Sequence, residues 1–79
     1  MRTPLDRLVW DCHRAMPHER PAKRAALAEA MADPAFRAAA KAEHAALAAL
    51  IKARGRNACA VSTARHAVLT HTLEGADAV

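Results

Sequence analysis

The sequence predicts an all-α fold, a small single-domain bundle of three to four helices, and three observations favour it. Hydrophobic residues make up 53% of the 79 residues, and 23 of them are alanine, which has the highest helix propensity. Larger apolar side chains recur at helical spacing. Two pairs, Thr3-Pro4 and Asp33-Pro34, join a capping residue to a first-turn proline. We expect residues 1–79 to form one helical domain whose tail is frayed from about residue 75.

The first helix begins at Pro4 and is followed by a short connector. Pro17 and Pro21 bracket this connector, because the residue before a proline is disfavoured in the α region. That preference predicts that Met16 and Arg20 lie outside helices. The expected apolar stripe of the first helix consists of Leu5, Leu8, Val9, Cys12, Ala15 and Met16.

The second helix is expected from about Pro21 to Ala32, and the third from Pro34 to Arg54. Neither glycine nor proline interrupts the third helix until Gly55, which has the position of a C′ residue. Glu43 falls on the apolar face of the third helix, where a carboxylate is paired with a cation, shielded at a helix end or directed at a partner. The other residues predicted on that face are Phe36, Ala40, Leu47, Leu50 and Ile51.

Residues 57–73 allow two interpretations. Apolar residues at helical spacing favour a fourth helix. The β-branched residues of the same segment also suit a β-hairpin that turns at residues 64–67, and this hairpin is the minority alternative. The residues that favour the helix are Val61, Ala64, Val68, Leu69 and Leu73.

The cysteine and histidine positions do not suggest a catalytic centre or a metal site. Cys12 and Cys59 are too isolated for a zinc-finger spacing, and we expect free thiols. A zinc site assembled across helices from these two residues and His66 is a distant alternative. Ser62 and His66 have helical i,i+4 spacing, but nothing specifies a third catalytic group or a pocket. We therefore expect no catalytic residues, no metal and no cofactor, and a protein that is not an enzyme.

The chain has a net charge of +4, and six of its 12 Lys and Arg residues gather in two groups. Arg20, Lys23 and Arg24 form the first group, and Lys52, Arg54 and Arg56 form the second. Such groups are often solvated faces, but they also suit nucleic acid or an acidic protein surface. A helix-turn-helix with its turn at Gly55 would make the C-terminal half a nucleic-acid-binding transcriptional regulator, although the large Ile51 and the charged Arg56 depart from that motif.

Trp10 is the most informative single residue, because it projects nearly opposite the apolar stripe of the first helix. It lies among Arg7, His13 and Arg14 on a charged face. A tryptophan in this position either covers another part of the chain or anchors a partner, and Trp and Arg are enriched at interface hot spots. The candidate partner-binding residues are Trp10, Arg14, Arg7, Lys52, Arg54 and Arg56.

The chain is very short and rich in Ala and Arg, and it has an aromatic-basic face and no catalytic motif. In this size and character the sequence resembles small phage-encoded anti-CRISPR proteins. The resemblance covers the whole chain but carries no shared motif. It implies an inhibitor that sterically blocks a host protein, such as a CRISPR-Cas nuclease, a surveillance-complex subunit or the recruited helicase-nuclease.

The sequence also gives expectations about location and assembly. It contains neither a signal peptide nor an 18-residue apolar stretch, which predicts a cytoplasmic protein, in the host bacterium if phage-encoded, without membrane contact. Few large apolar residues remain beside the alanines. Because such a thin core gives a marginal domain, homodimerisation is a further expectation.

Overall fold

The computed structural model describes residues 3–77, which form four α-helices and one short 3-10 helix. The α-helices are α1 (Pro4–Arg14), α2 (Arg20–Ala30), α3 (Pro34–Arg54) and α4 (Ala60–Asp77), and the 3-10 helix is Gly55–Asn57. The predicted all-α bundle is confirmed. The β-hairpin alternative for residues 57–73 is wrong, because 60–73 lie within α4. None of the helices described between residues 3 and 77 is both long enough and apolar enough to cross a membrane.

Both predicted helix starts carry side-chain caps. Thr3 Oγ1 accepts a hydrogen bond from the backbone N–H of Asp6 at 3.1 Å, and Pro4 occupies the first turn of α1. Asp33 Oδ1 accepts from the backbone N–H of Ala35, also at 3.1 Å, at the start of α3. These local bonds satisfy N–H groups that have no partner within the helix, and they explain why short sequence motifs predicted both starts.

The limits of α2 differ from the prediction at both ends. The sequence predicts Arg20 in the connector, but Arg20 is the first residue of α2. Its backbone N–H donates a hydrogen bond to the carbonyl of Met16. Pro21 lies in the first turn, where the N–H group that proline lacks would have no partner within the helix. The helix ends at Ala30 instead of Ala32. The amides of Met31 and Ala32 donate to carbonyls three residues earlier, so the chain tightens there.

The helices surround one apolar core, and its largest fully buried side chains are Leu27, Met31, Leu69 and Val9. Two large side chains that were predicted on apolar faces are exposed. Met16 follows the end of α1 and is 57% exposed, and Leu50 near the end of α3 is 39% exposed. Leu47 on the same helix is buried, so the buried stripe of α3 is narrower near its end than the sequence pattern suggests.

The two long helices α3 and α4 form an antiparallel hairpin. His44 lies ten residues before the end of α3 and Thr70 ten residues after the start of α4, which is about 15 Å from the turn on each helix. Their side chains nevertheless contact each other at 2.7 Å, so the helices run back along one another. The turn between them uses Gly55 at φ +55°, and α4 continues to Asp77, beyond the expected start of a frayed tail. Residues 78–79 of that tail lie outside the described residues.

Candidate partner-binding surface

Trp10 lies on the outer side of α1 within a cluster of cationic and aromatic side chains. The α1 stripe of Leu5, Val9 and Cys12 is buried, and the helical period therefore directs Trp10 away from the core, where it is half-buried. The guanidinium carbon of Arg14, one turn later, is 4.9 Å from the Trp10 ring centroid. This distance is within the range of a cation–π interaction.

Two further side chains of residues 3–77, His13 and Arg65, contact the indole ring. The imidazole of His13 meets it edge-on, with ring centroids 5.7 Å apart and an interplanar angle of 72°. Arg65 approaches from α4, with its guanidinium carbon 5.9 Å from the ring centroid. The predicted grouping of Trp10 with His13 and Arg14 is therefore observed, and the contact with α4 is additional. The ring is held by neighbours on two helices.

Arg65 joins three helices through two ion pairs. Its Nη2 donates to Asp6 Oδ1 of α1 at 3.3 Å and to Glu43 Oε1 of α3 at 3.1 Å. Glu43 is thus paired with a cation, which was the first of the three alternatives that the sequence allowed for this carboxylate. The Nε of Arg65 is buried without a hydrogen-bond partner. Because the terminal nitrogen satisfies two carboxylates, the guanidinium beside Trp10 is electrically neutralised within the bundle.

Sequence reasoning missed Arg65 as part of this surface. The position of Glu43 in an apolar stripe indicates only that some cation lies nearby. The partner could not be named, because Arg65 is 22 positions from Glu43 and 59 from Asp6. Only the arrangement of α1, α3 and α4 brings these groups together.

The remaining predicted residues lie at the surface. Arg7 and Arg14 are exposed on α1, and Lys52, Arg54 and Arg56 are exposed at the end of α3 and in the 3-10 helix. Both ion pairs of the described residues belong to Arg65. None of these five predicted residues therefore has a carboxylate within 4 Å of its side-chain nitrogens in residues 3–77.

The His66 ring stacks on another histidine, His44. The rings of His44 and His66 have centroids 4.4 Å apart and an interplanar angle of 16°. Thr70 accepts from His44 and donates to the backbone carbonyl of His66. This half-buried group ties α3 to α4, so its polar atoms support the hairpin.

The two cysteines are free thiols in contrasting environments. Cys12 is buried in the core, and burial raises the pKa of its thiol above the ordinary value of 9.0. Cys59 is exposed just before α4, where hydrogen bonds from the backbone N–H groups of Ser62 and then Val61 lower the pKa of its thiol. In the part of the chain that the structure describes, no three His, Cys, Asp or Glu residues are grouped to hold a metal ion.

Comparison with known proteins gave no match: no family model, no curated protein and no solved structure is significantly similar to this chain.

Proposed function

We propose that the protein is a non-enzymatic inhibitor that binds a larger host protein and blocks it sterically, with Trp10 and Arg14 at the centre of the contact. The observation that carries the proposal is the stack of Arg14 on the half-buried Trp10 ring, 4.9 Å from its centroid. Trp and Arg are the residues most often found as interface hot spots. A ring already held by its neighbours loses little side-chain entropy on binding.

The charge distribution supports an acidic partner surface. Arg65 is neutralised by two carboxylates, whereas the guanidinium groups of Arg7 and Arg14 have no carboxylate within 4 Å among residues 3–77. These two cations flank Trp10 along α1. Together with the net charge of +4, they would accelerate the encounter with an acidic surface and make the association rate fall with salt.

The proposed target is a CRISPR-Cas component, such as the helicase-nuclease recruited by a type I surveillance complex. This part of the proposal comes from the resemblance in size and character to anti-CRISPR proteins. A decisive assay expresses the chain in bacteria whose type I CRISPR system targets a phage. The proposal predicts restored plaque formation with the wild type and no restoration with Arg14→Glu.

The contact residues are tested by measuring the affinity of each variant for the purified target component of that CRISPR system. Trp10→Ala and Arg14→Glu are each expected to weaken binding at least about 30-fold, the equivalent of one hot spot. Arg20→Glu is the matched control, because it reverses the same charge at an exposed position on α2. Circular dichroism checks that each variant keeps its helices. Equal binding by all three variants would contradict the proposed surface.

A second candidate function is nucleic-acid binding through the turn between α3 and α4. Lys52, Arg54 and Arg56 are all exposed there, within five positions of the chain. The antiparallel α3–α4 hairpin differs from the near-perpendicular helices of a helix-turn-helix, so this alternative depends on the basic cluster alone. It predicts DNA affinity that falls steeply with salt, with the slope reduced by about 0.9 for each phosphate-contacting cation removed. A nuclease-resistant complex with a protein target would favour the first function.

A further inference from the structure

A groove at the junction of α2 and α3 combines an apolar surface with two cations. Its cavity has a volume of about 310 Å³, at the small end of the range for ligand pockets. The exposed Ala32, Pro34 and Ala38 contribute apolar surface, and the buried Met31 also lines the groove. Arg37 and Lys41 contribute the charges. Because these two cations are four residues apart on α3, they project from the same helix face.

Neither cation has a carboxylate partner in the described part of the chain. Among residues 3–77, no carboxylate lies within 4 Å of the Arg37 or Lys41 side-chain nitrogens. Asp33 is the nearest carboxylate in sequence to Arg37, but its Oδ1 accepts the backbone N–H of Ala35 as the α3 cap. Arg37 therefore differs from the other half-buried arginine, Arg65, which has two carboxylate partners.

Arg37 is also partly withdrawn from water. Its residue is half-buried, and its Nε has no accessible surface and no hydrogen-bond acceptor. A charge that is partly buried without a partner is unfavourable, and an anion brought next to it would offset that cost. Since Nε is covered, an anion would be met by the terminal Nη groups of Arg37 and by Nζ of the exposed Lys41.

We propose that this groove binds a small amphipathic oxyanion, a carboxylate or phosphate attached to a short apolar group. The two cations on α3 bind the oxyanion, and the apolar side chains around Met31 cover the hydrocarbon part. The site shares no residue with the Trp10 surface. The ligand-binding proposal is therefore tested independently of the proposed inhibitor function.

The test is a titration of the full 79-residue chain with hexanoate, acetate and hexan-1-ol, followed by amide and methionine-methyl NMR at constant ionic strength. Hexanoate is expected to shift the Met31 methyl and the amides of residues 31–41 saturably. Acetate lacks the apolar part and hexan-1-ol lacks the charge, so each is expected to bind at least about tenfold more weakly. Hexyl phosphate, titrated in parallel, distinguishes a phosphate ligand from a carboxylate ligand by its relative affinity.

Matched variants separate the site from general charge effects. Arg37→Gln and Lys41→Gln are each expected to weaken hexanoate binding about tenfold, whereas Arg56→Gln and Lys52→Gln remove the same charges elsewhere and should leave it unchanged. Equal weakening in all four variants, equal binding of hexan-1-ol, or shifts that never saturate would overturn the proposal. If Arg37→Gln does not fold, the exposed Lys41→Gln decides the question.

Discussion

Thr70 of α4 accepts a hydrogen bond from Nε2 of His44 of α3, with 2.7 Å between the two atoms. The single hydroxyl proton of Thr70 is donated to the carbonyl oxygen of His66 at 2.9 Å. With that proton directed at the carbonyl, the tautomer of His44 that carries its proton on Nε2 completes both bonds. One hydroxyl thus connects the two long helices.

Replacing this hydroxyl is expected to destabilise the hairpin. Thr70→Val keeps the β-branched shape but leaves the half-buried His44 N–H without its acceptor, so the free energy of unfolding should fall by about 1–2 kcal/mol in urea denaturation. Thr63→Val is the matched control, because the Thr63 hydroxyl is exposed and donates only to the Cys59 carbonyl. Equal losses in the two variants would show that the His44 bond adds no stability.

Removing the Arg65 side-chain charge is expected to cost stability and to alter Trp10. Arg65→Met breaks both ion pairs and leaves Asp6 and Glu43 unpaired, but it also removes the unsatisfied Nε, so we expect a loss of only about 0.5–2 kcal/mol. The loss should shrink at high salt. Trp10 fluorescence should change in the folded variant, because a cation near the ring is lost, and it should stay unchanged in Arg56→Met. A loss that does not depend on salt would contradict the ion-pair explanation.

The core depends on few large side chains, so one truncation should have a large effect. Leu27 is fully buried, and Leu27→Ala should lower the free energy of unfolding by about 2–5 kcal/mol. For a chain of this length the total is about 4–12 kcal/mol, so thermal unfolding should shift strongly downward. Leu50→Ala should change it by less than about 0.5 kcal/mol, because Leu50 is 39% exposed. A small effect at Leu27 would mean that the alanine-rich helices close around the vacancy.

The two thiols should differ in reactivity and in pH dependence. In a Cys12→Ser variant, Cys59 should react with a disulfide reagent at a lower pH when folded than when unfolded in urea, because backbone N–H groups lower its pKa from 9.0. Because the folded pKa is the lower one, the stabilisation from Cys59 is present above the unfolded pKa and is lost as the pH falls through the folded value.

The companion variant Cys59→Ser reports on Cys12 alone. Burial raises the pKa of Cys12, so labelling should be slow and should follow unfolding of the core. Its stabilising contribution is present below the unfolded pKa and is lost as the pH rises through the folded value. Rapid labelling of Cys12 under native conditions would contradict its burial.

The helix starts could be predicted from sequence because their causes are local. Thr3 and Asp33 cap N–H groups two or three residues away, and a proline follows each of them. The expectation for Arg20 was wrong because a steric preference before proline was outweighed by a hydrogen bond to Met16. The exposure of Leu50 depends on where the neighbouring helices lie, and helical periodicity alone does not determine that.

The candidate surface also combines contacts that local sequence predicts with contacts that depend on the packing of the helices. Trp10, His13 and Arg14 are three or four positions apart on one helix, so their association could be inferred from α-helical geometry. Arg65 joins them through a contact with no local sequence signal. The groove at Arg37 and Lys41 could not be predicted either, since it forms only where the chain tightens between α2 and α3.

The backbone at Gly55 limits how this chain can diverge. Its φ of +55° and ψ of −123° are strongly disfavoured for any residue with a Cβ, so substitution would cost about 1–3 kcal/mol. Gly75, the other glycine, lies in α4 with no positive φ, where alanine would be preferred. Distant relatives should therefore keep glycine at the turn after the third helix and lose it at position 75. A glycine at that turn, downstream of two cap-proline pairs, is a sequence pattern by which such relatives could be found.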